Sequence, residues 1–299
     1  MKPCPVSVII PYYNCEHTIV RSVESVLDQT RPPAQVICIN DASTDRSRKN
    51  LEAFIKHHPL KHHVTMVDLP ENGGVYVARN AGLDVATQPY LAFQDADDFW
   101  HPKKLEIQFE YIDKDSTISL SCHRVDIWPD NKPVLFPDIR YDESKISDVD
   151  SNMALWVTKL HTDSIIMKNV PKYRFDENMR RGGDMLMWLE VVLTNDHNVF
   201  HDQTLAWKAK EHFGAGGLSG NLWKAEQANQ YTIRSLATKG LISKGYARIL
   251  SMWCYLKLLR RYLIVWSRRG ELLRRVQKRM RNKVNFLWLI LPSFGSIFR

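Results

Sequence analysis

The apolar positions of the first 112 residues follow two alternating rhythms. Val6-Ser7-Val8-Ile9-Ile10 is a β-branched run closed by Pro11, the pattern of a buried parallel strand. After the cap-like residues Asn14 to Thr18, the residues Ile19, Val20, Val23, Val26 and Leu27 recur at helical spacing. Gln35 to Asn40 predicts a second strand, closed by Asp41-Ala42-Ser43-Thr44-Asp45, and Leu51, Phe54 and Ile55 mark the helix behind it. Val64 to Val67 predicts a third strand, and Asn72-Gly73-Gly74 turns into a helix with Val77, Ala81 and Val85. Tyr90 to Gln94 is the fourth strand; Pro102 then opens a helical segment with Leu105, Ile107, Phe109 and Ile112. Alternation at this spacing predicts an α/β fold, Rossmann-like, with a mostly parallel central sheet and flanking helices. From Ser116 to about Gly220 the alternation weakens and the segment reads as α+β. There, Arg180-Arg181-Gly182-Gly183-Asp184 precedes an apolar helix face of Met185, Leu186, Trp188, Leu189, Val191 and Val192.

In sheets of this kind ligands bind at the carboxyl ends of the strands. Three polar clusters fall there: Pro11 to Asn14, Asp41 to Asp45 and Asp95 to Asp98. The last, Asp95-Ala96-Asp97-Asp98, sets three carboxylates behind the apolar run Tyr90 to Phe93. Like charges so close repel unless something positive sits between them. A divalent cation carrying a diphosphate suits such a set, because hard cations take oxygen ligands and share them with phosphates. A solvated acidic turn is the bland alternative, and the convergence of three clusters on one sheet edge speaks against it.

Charge changes the picture only when it is divided along the chain. The net charge is +8, yet residues 221–299 carry 17 Lys and Arg against two acids, Glu226 and Glu271, for +15. The remaining 24 basic and 31 acidic residues leave the first 220 positions at −7, so the basic character belongs to a tail. Five scattered cysteines without a C-x-x-C pair point to a reducing compartment and away from a zinc site or disulfide framework. The apolar run after Met1-Lys2-Pro3-Cys4-Pro5 is too short for a signal peptide, so a cytoplasmic location is expected.

Taken together, several segments resemble the family 2 glycosyltransferases, which have the GT-A fold. They are Val6 to Asn14 with Glu16, Ser25 to Thr30, Asn40 to Asp45, Asn72-Gly73-Gly74, Ala78 to Gly82, the acidic cluster and Trp100 to Leu105. Gly183-Asp184 with Trp188-Leu189 extends the match more loosely to about residue 220. The resemblance implies transfer of a sugar from a nucleotide-diphosphate donor, a UDP-sugar by family habit, to an acceptor hydroxyl with inversion. It implies that Pro11 and Tyr13 line the base pocket, that Asp41 accepts from the base, that Arg79 meets a nucleotide oxygen and that Asp95 meets the ribose. Asp97 would hold a divalent cation, Mn²⁺ or Mg²⁺, and Asp184 would be the general base. His212 resembles a histidine that closes over the diphosphate and is a second metal candidate.

Three departures from the family pattern stand out: Asn40 for the usual Asp, Ala42 for the common Gly, and Gly183 where Glu usually precedes the base. Asp184 can also be read as the N-cap of the following helix. The expected organisation is a GT-A domain over 1–220, with a nucleotide-binding half (1–115) and an acceptor-binding half (116–220). A basic amphipathic helical segment over 221–299 follows.

Within that tail, Tyr246 to Lys283 holds twelve basic residues and one acid. Leu256, Leu259, Leu263 and Trp266 fall on one helical face, and Lys257, Arg261 and Arg268 on another. Basic residues interrupt the most apolar stretch, which excludes a bilayer-crossing helix, and Phe286 to Leu291 is too short to span. Peripheral attachment to an anionic membrane surface is expected, on the inner face of the cell membrane. The expected product is a cell-surface polysaccharide such as lipopolysaccharide or capsule, built on a glycan or lipid-linked acceptor. A nucleotidyltransferase is the enzymatic alternative, but it should carry a Gly-rich phosphate loop where Pro11-Tyr12-Tyr13-Asn14 stands. A non-enzymatic membrane- or nucleic-acid-binding protein is the other alternative. Nucleic acid is not expected as a partner, because the first 220 residues are net acidic.

Overall fold

The computed structural model describes residues 2–128, 136–156, 160–208 and 222–268, without the side chains of residues 153 and 264–268. The first half is four strands and four helices. Strands β1 (Cys4–Tyr12), β2 (Pro33–Asn40), β3 (Val64–Asp68) and β4 (Tyr90–Phe93) alternate with helices α1 (Ile19–Leu27), α2 (Ser47–His57), α3 (Val75–Val85) and α4 (Lys104–Ile112). The strands lie in the order β3-β2-β1-β4, all parallel. The short β5 (Phe99–Trp100) comes between β4 and α4.

The second half completes one mixed sheet. It adds β6 (Leu120–Ile127), β7 (Ile146–Asp148), β8 (Ile166–Lys168) and β9 (Asn198–Lys208), with helices α5 (Ser151–Trp156) and α6 (Gly183–Thr194). The sheet runs β3-β2-β1-β4-β8-β6-β9-β5, and β7 pairs with β9. β8 is antiparallel to β4, pairing Tyr90 with Lys168 and Ala92 with Ile166. The long parallel pair β6 and β9 then continues the sheet.

Alternation along β1 explains how the sheet is covered. Val6, Val8 and Ile10 join Val23, Val26 and Leu27 of α1 and Leu105 and Phe109 of α4 in one buried cluster. Ile9 faces the other way, where α3 approaches closely: a Cβ on Gly82 would sit 2.6 Å from the Ile9 Cγ2. Phe93, the register partner of Ile9, stacks among Phe175 and Trp188 of α6 on that face. Strands buried on both faces must be apolar throughout, which is why β1, β2 and β4 read as continuous apolar runs.

Helices α7 (Leu222–Thr238) and α8 (Lys244–Arg268) follow. One compact unit extends to Ala247 and therefore includes α7; a second begins at Arg248. In the second unit Met252, Tyr255, Leu256, Leu259, Tyr262 and Leu263 are exposed. No helix among the described residues is long and apolar enough to cross a membrane. His212, Arg269 to Lys283 and Phe286 to Leu291 lie outside the described residues, as does the side chain of Trp266.

One charge is buried in the first unit at evident cost. The Lys104 side chain is fully buried at the start of α4, its Nζ has no hydrogen-bond partner, and it lies 3.6 Å from the centre of the Trp100 ring. Burial pulls its pKa down to about 7 against the opposing pull of Asp163. Between pH 7 and 10 the unfolded chain therefore holds a proton that the folded chain has released, and stability should rise with pH across that window. Lys104→Met, of similar length and uncharged, is expected to raise the melting temperature at pH 6 by about 2–4 °C and to flatten the pH 7–10 rise. Thermal melts at pH 6 and pH 9 check both.

Candidate active site

The site is built at the carboxyl edge of the sheet, where the chain leaves β1, β2 and β4. The β1–α1 and β2–α2 loops are sewn together by side chains. Asn14, at φ 48°, accepts the Thr44 N–H on its Oδ1 at 2.8 Å, and the Asn14 N–H is donated to the Ser43 hydroxyl at 3.1 Å. Ala42 also has positive φ, 57°. That left-handed backbone is where glycine is free of steric cost and alanine is not. Asn40 donates from its Nδ2 to Asp68 at 2.9 Å and accepts the Ser43 N–H at 3.0 Å. An Asp at position 40 would set two carboxylates against each other there, and the amide avoids that repulsion.

Asp41 is buried and faces the turn before α3. Its Oδ1 accepts the Gly73 N–H at 2.8 Å, and its Oδ2 accepts the Gly74 N–H at 2.9 Å and the Asn72 amide at 3.1 Å. Pro11 is buried at the end of β1 beside this loop, and the ring of Tyr13 is 48% exposed at the same edge. Arg79, buried on α3, donates from Nη2 to Asp95 at 2.6 Å. Burial opposes the guanidinium charge, but Asp95 and then Asp184 hold its pKa above the ordinary value. Its Nε is buried without a partner. Arg79 and Asp95 are thus brought together, each touching the other.

The acidic strand end is held from several sides. The Ser22 hydroxyl donates to the Asp95 carbonyl and Arg21 to the Asp97 carbonyl, both at 2.9 Å. The Asp95 N–H is donated to Asp163 Oδ1 at 2.9 Å. Asp163 is fully buried, and its Oδ2 lies 3.6 Å from the Lys208 ammonium at the end of β9. Burial works against the Lys208 charge, but Asp163, Asp95, Asp98 and Asp184 outweigh it and push its pKa well above the usual range. Burial, and then the Asp163, Asp95 and Asp97 charges, push Asp98 up to about 10. The Asp98 carboxyl is hydrogen-bonded to Asp163, which burial pushes up in the same direction.

Among the described residues one group of carboxylates could offer oxygen to a divalent cation. The oxygens of Asp95, Asp98 and Asp163 lie within 4.8 Å of one another. In that trio Asp95 is paired with Arg79, and the Lys208 ammonium lies 3.6 Å from Asp163. The half-buried Asp97 is not part of that trio; its backbone carbonyl accepts from Arg21.

Asp184 stands across from this strand end, in the first turn of α6. The helix N-cap is Gly182, at φ 70°, with no side-chain cap bond. The capping alternative for Asp184 is thereby corrected: the residue lies inside the first turn and its carboxylate bonds side chains of other elements. Its Oδ2 accepts the Thr162 hydroxyl at 3.0 Å, and the Tyr76 hydroxyl reaches within 3.4 Å of its Oδ1. Tyr76 also accepts the Gly183 N–H at 2.8 Å. Arg180 is exposed and Arg181 half-buried just ahead of it.

Tyr76, Thr162, Asp163 and Lys208 escape a search for motifs because they come from three separate segments of the chain. The faint signal is His161-Thr162-Asp163-Ser164, a polar tetrad directly ahead of the apolar Ile165-Ile166-Met167. Gly183 has a physical reason to lack a side chain. A Cβ there would meet the Tyr76 ring at 2.9 Å, at an atom that cannot swing aside. Alanine would gain about 1 kcal/mol of helix propensity, but overpacking costs about 1–3 kcal/mol. The net cost is about 0–2 kcal/mol, so Gly183→Ala is expected to lower the melting temperature by up to about 8 °C. Adding Tyr76→Ala should remove the clash and with it most of the Gly183→Ala penalty. A four-variant thermal melt series checks the pair.

Against known proteins, the model of Glycosyl transferase family 2 matches residues 7–150. The chain is 28% identical over 257 residues to the putative teichuronic acid biosynthesis glycosyltransferase TuaG of Bacillus subtilis, covering 84% of this chain and 93% of that one. Of the curated glycosyltransferases next in similarity, the chain spans 27% to 38% of the length. Among solved structures it is similar to S. aureus TarS in complex with UDP-GlcNAc, with TM-score 0.64 and 18% identity, covering 84% of this chain and 70% of that one. It is also similar to the mannosyltransferase PcManGT of Pyrobaculum calidifontis in complex with GDP-Man and Mn²⁺. There the TM-score is 0.62 and the identity 16%, covering 96% of this chain and 81% of that one. With this fold, this edge of carboxylates and these relatives, the chain is a glycosyltransferase with the GT-A fold whose residues 7–150 match family 2.

Proposed function

We propose that the protein is an inverting, metal-dependent glycosyltransferase acting in cell-surface polysaccharide synthesis. It would move a sugar from a nucleoside-diphosphate donor, a UDP-sugar by family habit, to a hydroxyl of a glycan or lipid-linked acceptor. The observation that carries this reading is the facing of two carboxylate stations across one sheet edge, the Asp95–Asp98 strand end and Asp184. Pro11 and the exposed Tyr13 ring line the base pocket, Asp41 accepts from the base, and Arg79 and Asp95 meet the nucleotide and its ribose. Asp184 takes the proton from the acceptor hydroxyl as that oxygen attacks the anomeric carbon and the bond to the diphosphate breaks. Attack from the face opposite the leaving group inverts the configuration. A divalent cation held by Asp97, manganese or magnesium, supplies when bound the neutralisation of charge developing on the leaving diphosphate. Solved neighbours bound to UDP-GlcNAc and to GDP-Man with Mn²⁺ support this class of donor. The name of the TuaG relative supports a polysaccharide of the cell wall as the class of product.

The division proposed is a nucleotide half over 1–115, an acceptor half over 116–220 and a basic segment over 221–299. In that last segment the exposed Leu256, Leu259, Tyr262 and Leu263 lie near Lys257, Arg260 and Arg261 in sequence. Apolar and basic side chains together suit adsorption to an anionic bilayer, which would keep the enzyme at the inner face of the cell membrane.

Calorimetric titration of UDP- and GDP-sugars with and without Mn²⁺ tests the donor. Binding should depend on the metal and weaken at least about tenfold in Asp97→Asn. Metal-independent binding in both proteins would sink the metal assignment. Asp184→Asn should bind the same donor normally while turnover falls by about 10²–10⁴; an active variant removes Asp184 from the base role. For the tail, truncation after residue 245 should abolish co-sedimentation with phosphatidylserine liposomes. Undiminished co-sedimentation would overturn the membrane assignment.

A further inference from the structure

The segment His161 to Ser164 is polar, yet Thr162, Asp163 and Ser164 are all buried. Burying three consecutive polar side chains is costly unless each is bonded. Ser164 donates from its hydroxyl to the His161 carbonyl at 2.7 Å and closes the turn on itself. Its neighbours point their bonds outward instead, to two different places. Thr162 donates to Asp184 Oδ2 at 3.0 Å, and Asp163 accepts the Asp95 N–H at 2.9 Å. The two bonds connect the two carboxylate stations through consecutive residues.

The sheet dictates this placement. β8 is antiparallel to β4, with Ala92 opposite Ile166. The ladder ends there, and the chain ahead of β8 tightens into a short 3-10 turn over Thr162–Ser164 that presents Asp163 to the Asp95 N–H. Consecutive Cα atoms are about 3.8 Å apart, so what holds Asp163 at the strand end also holds Thr162 at the start of α6. Lys208, 3.6 Å from Asp163 Oδ2, anchors the same carboxylate from β9.

We propose that Thr162 and Asp163 are positioning residues that together fix the Asp184 carboxylate relative to the donor-binding strand end. Thr162 orients the base, and Asp163 holds the Asp95–Asp98 turn that meets the donor. This rests on the assignment of Asp184 as base and of the strand end as donor site.

The full-length protein and three variants, Thr162→Val, Thr162→Ser and Asp163→Asn, test the proposal with three readouts. These are the affinity for UDP or GDP with Mn²⁺, the release of nucleoside diphosphate from a panel of UDP- and GDP-sugars, and amide hydrogen exchange. Thr162→Val, nearly isosteric, should slow release about 10–100-fold while the nucleotide affinity stays within about twofold. Thr162→Ser should restore the rate to within about threefold, since the hydroxyl returns. Asp163→Asn should weaken nucleotide affinity about tenfold and speed exchange across residues 94–98, leaving residues 185–189 as protected as before. A Thr162→Val protein that loses affinity and rate together, or that Thr162→Ser fails to rescue, overturns the proposal in favour of a packing role. So does Asp163→Asn with unchanged exchange at 94–98, whatever the turnover. Asp184→Asn separates the two levels. If Asp184→Asn is inactive and Thr162→Val keeps full rate, the positioning role alone falls. If Asp184→Asn keeps full rate, the base assignment falls and the proposed role of Thr162 falls with it.

Discussion

Electrostatic repulsion at the end of β4 is the constraint on which the rest of this molecule depends. Asp95, Asp97, Asp98 and the buried Asp163 crowd one strand terminus, and such a set is unstable unless compensated. Compensation comes from Arg79 on α3, from Lys208 at the end of β9 and from the Asp95 N–H. Arg79 belongs to the first half of the chain and Lys208 to the second. The acidic edge is therefore held only when the parallel half of the sheet and the mixed half have both formed. Folding and site assembly are one event at this point, and the second half of the sheet acts as the counter-charge of the first.

The departures from the family pattern also find physical causes. Asn40 sits 2.9 Å from Asp68, where an Asp would add one more uncompensated repulsion. Ala42 adopts a left-handed backbone at a position where glycine would be relaxed, and the loop is held there by the bonds of Asn14 and Asn40 to its neighbours. Gly183 leaves room for the Tyr76 ring, whose hydroxyl takes the Gly183 N–H and approaches Asp184. An aromatic hydroxyl thus occupies the surroundings of the carboxylate where relatives usually place a second acid one residue earlier. The differences gather where residues distant in sequence meet.

Much of the fold was legible in the chain alone. Continuous apolar runs marked β1, β2 and β4, because strands covered on both faces have no polar side to show. Helical spacing marked α1 to α4, and the polar clusters after each strand located the edge where a ligand would bind. Beyond residue 116 the short β7 and β8 carry three residues each, too few for periodicity to register. Asp184 was legible as a candidate, although its spacing alone left it open as a helix cap.

What the sequence determined by itself was the alternation of strands and helices, the edge at which chemistry is placed, and the concentration of positive charge in the tail. These follow from short-range regularities, periods of two and 3.6 residues and local composition, that any window of the chain displays. Only the tertiary structure decided which charges neutralise the strand end, and that Thr162 bonds Asp184 while its neighbour Asp163 bonds the Asp95 N–H. Those outcomes depend on an antiparallel register between segments more than sixty residues apart. They depend also on burial, which turns a nearby carboxylate from a solvated neighbour into a strong perturbation. Neither quantity is written in any local stretch of residues.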